Sequence, residues 1–269
     1  MKHGQWVWVL LALGLALSAC SRPAGPPAAL AVVAPADVAG LADALTADFN
    51  GRQQAVVAAF TRAEPRQMLA SLQRDPAAVV ISYTLGATLP VSATTFALDA
   101  VAMSVPYTNP VESLTSAQAR EIFTGRTISW TAVGGRDVAV QPFSREEGAV
   151  IREVVEAWAL GTGAKTEDRV TRNALMISSD EGMVAALEAE PGGVGYALLR
   201  RLSQRVRPLR LNGVPPSAAA IQQGQYPLVL RLSALTAGPP AGPAAAFIAC
   251  LRGPPGQQVL QASGLVAAR

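Results

Sequence analysis

The chain has 269 residues, half of them hydrophobic and 15% charged, with a formal net charge of +3. That length suits one large domain or two compact lobes, and the modest charge, carried almost entirely by scattered arginines, does not form a nucleic-acid footprint. The lone histidine is His3 and the two cysteines are Cys20 and Cys250, which leaves no residues for a His-based triad or a His-ligated zinc in the body of the chain; no metal or cofactor is expected.

At the N-terminus, Lys2 and His3 precede an apolar run from Trp6 to Leu17 and then Leu17-Ser18-Ala19-Cys20. A short positive region, an apolar core and small residues before a cleavage point predict a secretory signal over 1–20, too short for a membrane span. Leu-Ser-Ala-Cys resembles the bacterial lipobox, which implies lipidation of Cys20 as the mature N-terminus. The Pro-, Gly- and Ala-rich 21–28 reads as a tether. With Cys20 lipidated, Cys250 has no partner for a disulfide and is expected as a buried, inert thiol.

Leu30 to Val33 reads as a buried strand, followed by a helix capped by Asp37, with Val38, Leu41, Leu45 and Phe49 as its apolar stripe. A second strand over Ala55 to Phe60, a helix over Pro65 to Gln73 and an apolar strand over Ala78 to Ser82 continue the alternation. Strands alternating with helices imply parallel βαβ units, whose ligands sit beyond the carboxyl ends of strands. Asp37 and Ser82-Tyr83-Thr84 fall at such ends. Phe96 to Val105 is long enough to cross between lobes. Leu114 to Phe123 reads as a helix with Thr115 and Gln118 as its capping box and Gly125 at its exit. Short strands over Thr127 to Trp130 and Val138 to Gln141 flank Gly134-Gly135.

The stretch from Ser144 to Glu156 organises the chemistry. Val150, Ile151, Val154, Val155 and Trp158 have helical spacing, Ser144 and Glu147 fit a capping box, and Gly148 permits close backbone approach. A helix start offers free N–H groups and a positive dipole end to an anion, and Arg145 just before it can add a bidentate fork. Gly161 to Thr166, with Lys165, lacks the spacing of a phosphate loop and reads as surface. Ser178-Ser179-Asp180-Glu181 opens a helix with Met183, Val184 and Leu187 inward, broken by Pro191-Gly192-Gly193 before a strand over Val194 to Leu198. Arg200, Arg201, Arg205, Arg207 and Arg210 are expected as a solvated helix end and loop. Tyr226-Pro227-Leu228 enters a strand, and two short helices close the chain.

Ala97 to Ala102, Asn109-Pro110-Val111, Leu114-Thr115 through Gly125, Ile128-Ser129-Trp130, Ser144 to Gly148, Pro191 to Tyr196, Asn212-Gly213-Val214 and Tyr226-Pro227-Leu228 follow one another in an order and spacing that resembles the phosphate-type solute-binding proteins of ABC importers. The resemblance covers most of the mature chain. It implies an α/β, two-lobed periplasmic-binding-protein fold of type II-like form, each lobe a mixed sheet flanked by helices, with lobe 1 over 29–103 and 206–269 and lobe 2 over 104–205. It also implies a small anionic ligand (phosphate or another oxyanion), delivery to ABC permease subunits, and a membrane-anchored, extracytoplasmic lipoprotein. The ligand contacts so implied are Arg145, Ser144, the backbone at Gly148, Ala149 and Val150, Ser82, Tyr83 and Thr84, with Ser178 and Ser179 from the second lobe; Arg152, one turn into the helix, is expected to matter less.

The chain also departs from the family pattern. Ala149-Val150-Ile151 replaces Ser-Gly-Thr, Ala34-Pro35-Ala36-Asp37 replaces a Gly/Ser/Thr-rich loop, and Ser82-Tyr83-Thr84 lacks the family's proton-accepting Asp. Each missing donor costs about 1–3 kcal/mol, and a carboxylate at Asp37 repels an anion and competes for N–H groups. Two further readings stand beside oxyanion binding: the same fold holding another solute or serving as a sensor, and an enzyme using Glu146 and Glu147.

Overall fold

The computed structural model describes residues 27–53, 55–63, 65–84, 91–161 and 168–268, the side chains of 65 and 66 excepted. The expected signal peptide, Cys20, most of the tether and the loop carrying Lys165 lie outside these residues. In chain order the elements are β1 (Ala28–Ala34), α1 (Ala39–Arg52), β2 (Val56–Arg62), α2 (Pro65–Arg74), β3 (Val79–Thr84), β4 (Ser92–Pro106), β5 (Ser113–Leu114), α3 (Ser116–Phe123), β6 (Gln141–Ser144), α4 (Val150–Ala159), β7 (Leu175–Met176), α5 (Asp180–Ala189), β8 (Gly193–Leu198), β9 (Val206–Pro208), β10 (Arg210–Leu211), α6 (Ala218–Gln222), β11 (Val229–Thr236), α7 (Gly242–Arg252), α8 (Pro254–Ala262) and β12 (Val266–Ala267).

The fold is α/β, with a mixed sheet in the order β2-β1-β3-β11-β4-β8-β6-β7. The alternating β1-α1-β2-α2-β3 run yields parallel strands, because a strand–helix–strand connection returns the chain in the same direction. β11 enters antiparallel between β3 and β4. β4 is the strand that spans the molecule. Its first part, to Ala100, pairs with β11; from Val101 it pairs with β8, and from Ser104 with β9. This change of partner divides the sheet into two halves that share β4.

One core runs through both halves, with smaller clusters beneath α2 and α5. In the first half, Leu41, Leu45 and Phe49 of α1 lie inside, with Phe49 edge-on to Phe247 of α7 at 5.1 Å; burying such side chains stabilises by about 1.5–3 kcal/mol apiece. Val33, Leu72, Val80 and Leu235 form a smaller cluster beneath α2. In the second half Phe143, Met183, Leu187 and Ala197 pack beneath α5. Ile151, Val155 and Ala159 bury one face of α4, with Val150, Val154 and Trp158 packed at the core's margin.

Local expectations are met at α3, where Thr115 and Gln118 cap each other reciprocally and Gly125 adopts φ +80°. Four expectations need correction. Leu114 belongs to the short β5, and α3 begins after it. The segment Trp130–Val133 is a 3-10 turn capped by Ser129, and only Ser129 bridges to Ala139, because the Trp130 side chain turns inward to donate from Nε1 to the Gly192 carbonyl at 2.9 Å. Asp37 does not cap α1, which starts after Val38 without a side-chain cap; a preceding turn uses the Pro35 and Ala36 carbonyls instead. Cys250 is half-buried at the edge of the core, its thiol held above its ordinary pKa by that burial.

Candidate functional site

Four loops meet in one cleft, and each leaves the carboxyl end of a strand: Pro35-Ala36-Asp37 after β1, Ser82-Tyr83 at the end of β3, Arg145 to Ile151 after β6, and Ser178 to Glu181 after β7. This is where open α/β sheets place ligands. The cleft measures about 670 Å³. Of the expected contacts, Arg145, Gly148, Ala149, Val150, Ser82, Tyr83, Ser178 and Ser179 line it, together with Asp37, Met68, Glu146, Glu147, Ile151, Asp180, Glu181 and Arg201.

Ser144 and Thr84 do not line it. Ser144 is the last residue of β6 and fully buried; its hydroxyl meets the Tyr196 hydroxyl at 2.7 Å. It cannot cap α4, because Gly148 at φ +84° inserts a left-handed turn between strand and helix, and α4 starts after Ala149 with no side-chain cap. The Ser144–Glu147 capping box is therefore a correction. The Tyr196 oxygen also accepts the Arg145 N–H at 3.1 Å, so the two residues together pin the base of the loop. Thr84 turns to the sheet face, where its hydroxyl lies 3.2 Å from that of Ser233.

The turn has a price for the amides. Ala149 N–H donates to the Glu146 carbonyl and is unavailable to a ligand, which corrects its expected role. Among the described residues the N–H groups of Gly148, Val150 and Ile151 have no protein acceptor, as the first turn of an uncapped helix requires. They form the positive end of the α4 dipole inside the cleft.

Arg145 is buried beside them. Its Nη1 donates to Asp180 Oδ1 at 3.1 Å, its Nη2 to the Ser178 carbonyl at 2.8 Å, and its Nε faces Glu146 at 3.5 Å. A guanidinium has five N–H donors, so two remain for a ligand. Arg152 holds the loop from behind: it pairs with Glu156 at 2.6 Å and donates to the Arg145 carbonyl at 2.9 Å. The Ser179 oxygen accepts the Gly182 N–H as cap of α5, which leaves its own O–H free to donate, as at Ser178.

The carboxylates are the part that sequence reasoning placed least well. Asp180 was readable as a helix N-terminal acid but not as the partner of Arg145. Burial raises its pKa, while Arg145 pulls it down. Asp37 reaches the cleft from the first half. Burial raises its pKa as well, opposed by the N–H groups of Asp37 and Val38 and by the charges of Arg145 and Arg200. Behind the cleft, the Tyr83 hydroxyl donates to Asp99 Oδ2 at 2.6 Å, and Arg200 Nε donates to the same oxygen at 2.8 Å. Burial and the neighbouring Asp99 charge hold the Tyr83 phenol well above its usual pKa. Arg200 thus leaves the solvated arginine cluster predicted for it: its side chain is 10% exposed and that of Asp99 is 2%. Among the described residues no group of three or more His, Cys, Asp and Glu side chains is arranged to hold a metal ion, and no helix is long and apolar enough to cross a membrane.

Comparison with known proteins places the fold. The chain is 26% identical over 143 residues to the phosphate-binding protein PstS of Bacillus subtilis, a match covering 53% of this chain and 46% of that one; the chain spans about half the length of the curated relatives it matches. Its fold superposes on an ABC-type phosphate transport receptor from Vibrio cholerae with a TM-score of 0.74 at 21% identity, covering 89% of this chain and 99% of that one. PstS from Borrelia burgdorferi gives 0.70 at 16%, covering 90% and 99%. A family model described as the PBP superfamily domain matches residues 28–251, and the chain therefore belongs to the PBP superfamily.

Proposed function

We propose that this chain is an extracytoplasmic, lipid-anchored solute-binding protein that takes up phosphate or a similar oxyanion and delivers it to an ABC importer. Its lobes comprise 29–103 with 206–269, and 104–205. It binds and does not catalyse. The observation that carries the reading is the conjunction, in one cleft, of two spare Arg145 N–H donors with the unbonded amides of Gly148, Val150 and Ile151. A fixed fork beside a helix N-terminus is a built oxyanion cradle. Ser178 and Ser179 line the cleft as further hydroxyl donors, while the Ser82 hydroxyl donates to the Tyr83 carbonyl. The phosphate-binding PstS relatives support this ligand class. The anchor rests on the Cys20 motif.

A second reading has its own support. Asp37, Glu146, Glu147, Asp180 and Glu181 line the same cleft against Arg145 and Arg201. That surplus of carboxylates suits a less negative solute, or a sensor whose cleft no longer takes a dianion.

Thermal unfolding in phosphate-free buffer separates the two. Phosphate, sulfate, molybdate and tungstate are added singly at millimolar concentration. Ligand at about a thousand times its Kd stabilises by about 4 kcal/mol, a shift of several degrees for a chain of this size. A shift with phosphate, alone or among these anions, supports the first reading; no shift with any of them favours the second.

A further inference from the structure

Resting on the oxyanion cradle of the proposed function, we propose that the solute of this cleft is a zwitterion: an alkyl phosphonate or phosphate ester whose oxyanion sits on Arg145 and the first amides of α4, and whose ammonium group, a short carbon linker away, pairs with Asp37.

Three observations carry this. The first is the charge of the walls. Both guanidiniums of the cleft already face protein carboxylates: Arg145 donates to Asp180 at 3.1 Å and lies 3.5 Å from Glu146, and Arg201 faces Glu181 at 3.9 Å. Two further carboxylates, Asp37 and Glu147, line the same space, and among the described residues neither makes an ion pair. A bare dianion adds negative charge to walls that already carry a surplus of it, whereas a ligand that brings its own cation offsets that surplus.

The second is the place of Asp37. It stands in the loop after β1, in the first half of the sheet, while Arg145 and the α4 amides follow β6 in the second. The Arg145 charge acts on the Asp37 carboxyl, yet the donors of Arg145 go to Asp180, the Ser178 carbonyl and Glu146. Asp37 is open to the cleft and enclosed by its walls, and that burial raises its pKa against the pull of nearby N–H groups, Arg145 and Arg200. An ionised carboxylate in such a place is stabilised by an added cation. Glu147 differs: it belongs to the cradle's own loop, beside Gly148, and also lines the neighbouring groove with Arg152 and Glu153. Asp37 is therefore the unpaired carboxylate opposite the cradle.

The third is size. At about 670 Å³ the cleft falls among sites that enclose whole organic molecules, about 300–1,000 Å³, and exceeds what a five-atom oxyanion occupies. Met68, Val150 and Ile151 supply apolar wall for methylene groups.

The test is calorimetric titration of the full chain near neutral pH, where the amines are charged, with inorganic phosphate, ethylphosphonate, 2-aminoethylphosphonate and O-phosphoethanolamine. The expected result is that at least one amine probe binds about 10–100-fold tighter than ethylphosphonate, the worth of one charge-assisted hydrogen bond; binding of an amine probe alone counts as the same gain. The order of the two amine probes tells phosphonate from phosphate ester. Asp37→Asn is expected to weaken the amine probes and to tighten ethylphosphonate, a change of opposite sign that a merely structural role of Asp37 does not produce. Asp43→Asn, exposed on α1 and outside the cleft lining, removes the same charge and leaves the ratio as in the parent. If phosphate and ethylphosphonate bind but neither amine improves on them, or if the gain survives Asp37→Asn, the zwitterion is overturned and the cradle stands. If no probe binds the parent at millimolar concentration, the cradle falls and the zwitterion with it. The comparison of amine and alkyl probes in the parent needs no variant, so it decides even where Asp37→Asn does not fold.

Discussion

Two Arg–Asp pairs, built from the same chemistry, do different work in this molecule. Arg145 and Asp180 meet at 3.1 Å in the cleft wall, with donors to spare and a ligand-sized space in front of them. Arg200 and Asp99 meet at 2.8 Å behind the cleft floor, and every oxygen of that carboxylate is taken by a protein donor. In the proposed function the first pair holds a cation ready for an arriving ligand. The second is closed on itself and holds strands together. Environment, rather than residue type, decides which: a sealed pair is costly to break, and an open one can be completed by a ligand.

The comparison is broken most severely at the sealed pair. Asp99→Ala leaves the Arg200 guanidinium buried and unpaired, and is expected to cost about 3–5 kcal/mol of stability, read as a fall in the urea midpoint; a loss within the error of the parent's midpoint would mean the pair is solvated. At the open pair the effect moves from stability to binding. Arg145→Ala is expected to weaken phosphate by about 30–100-fold, from the loss of one charge-assisted donor pair worth about 2–3 kcal/mol, with Arg152→Ala weakening it less because Arg152 does not line the cleft and reaches it only through the Arg145 carbonyl.

Asp37→Asn sharpens the same contrast in the opposite direction. Removing a carboxylate that faces Arg145 across the cleft is expected to tighten oxyanion binding by about tenfold, about 1.4 kcal/mol, measured by calorimetry. Its pH dependence has a definite sign. A carboxyl whose native pKa is raised above its unfolded value destabilises the fold while it is ionised. That cost is fully present above the raised native pKa and disappears as pH falls through it toward the ordinary value of 3.8. Relative to Asp37→Asn, the parent is therefore expected to gain stability on acidification through that window, and its affinity for sulfate, ionised throughout, to rise; parallel pH profiles would remove Asp37 from the cleft's electrostatics. The smallest effect is expected at Ser144→Ala, about 1 kcal/mol for a buried hydroxyl pair, because the Tyr196 oxygen still accepts the Arg145 N–H.

Much of the architecture was legible in the chain. The βαβ alternation, the long strand, the Thr115–Gln118 box and the place of Asp37 and Ser82-Tyr83 at strand ends follow from periodicity, capping chemistry and the rule that ligands sit beyond strand ends, while the meeting of Arg145 to Val150 and Ser178-Ser179 with them was implied by the family resemblance. What was not legible depends on tertiary pairing. Ser144 has the spacing of a cap, yet spacing cannot show that it ends a strand and is claimed by Tyr196, 52 residues away. Arg200 looks solvated beside Arg201, and its partner Asp99 lies 101 positions back in an apolar strand that gives no hint of a cation. Asp180 reads as a dipole-stabilising acid until the fold brings Arg145 to it. Local rules find elements and strand ends; they do not find which charges cancel.

The central claim is that Arg145 and the first amides of α4 bind an oxyanion. The most direct test is calorimetric titration of phosphate into the purified parent and into Arg145→Ala at one pH. Saturable binding to the parent that is weakened by the expected 30–100-fold in the variant, about 2–3 kcal/mol, would support the account. Equal affinity in both proteins, or no binding to the parent at millimolar phosphate, would contradict it.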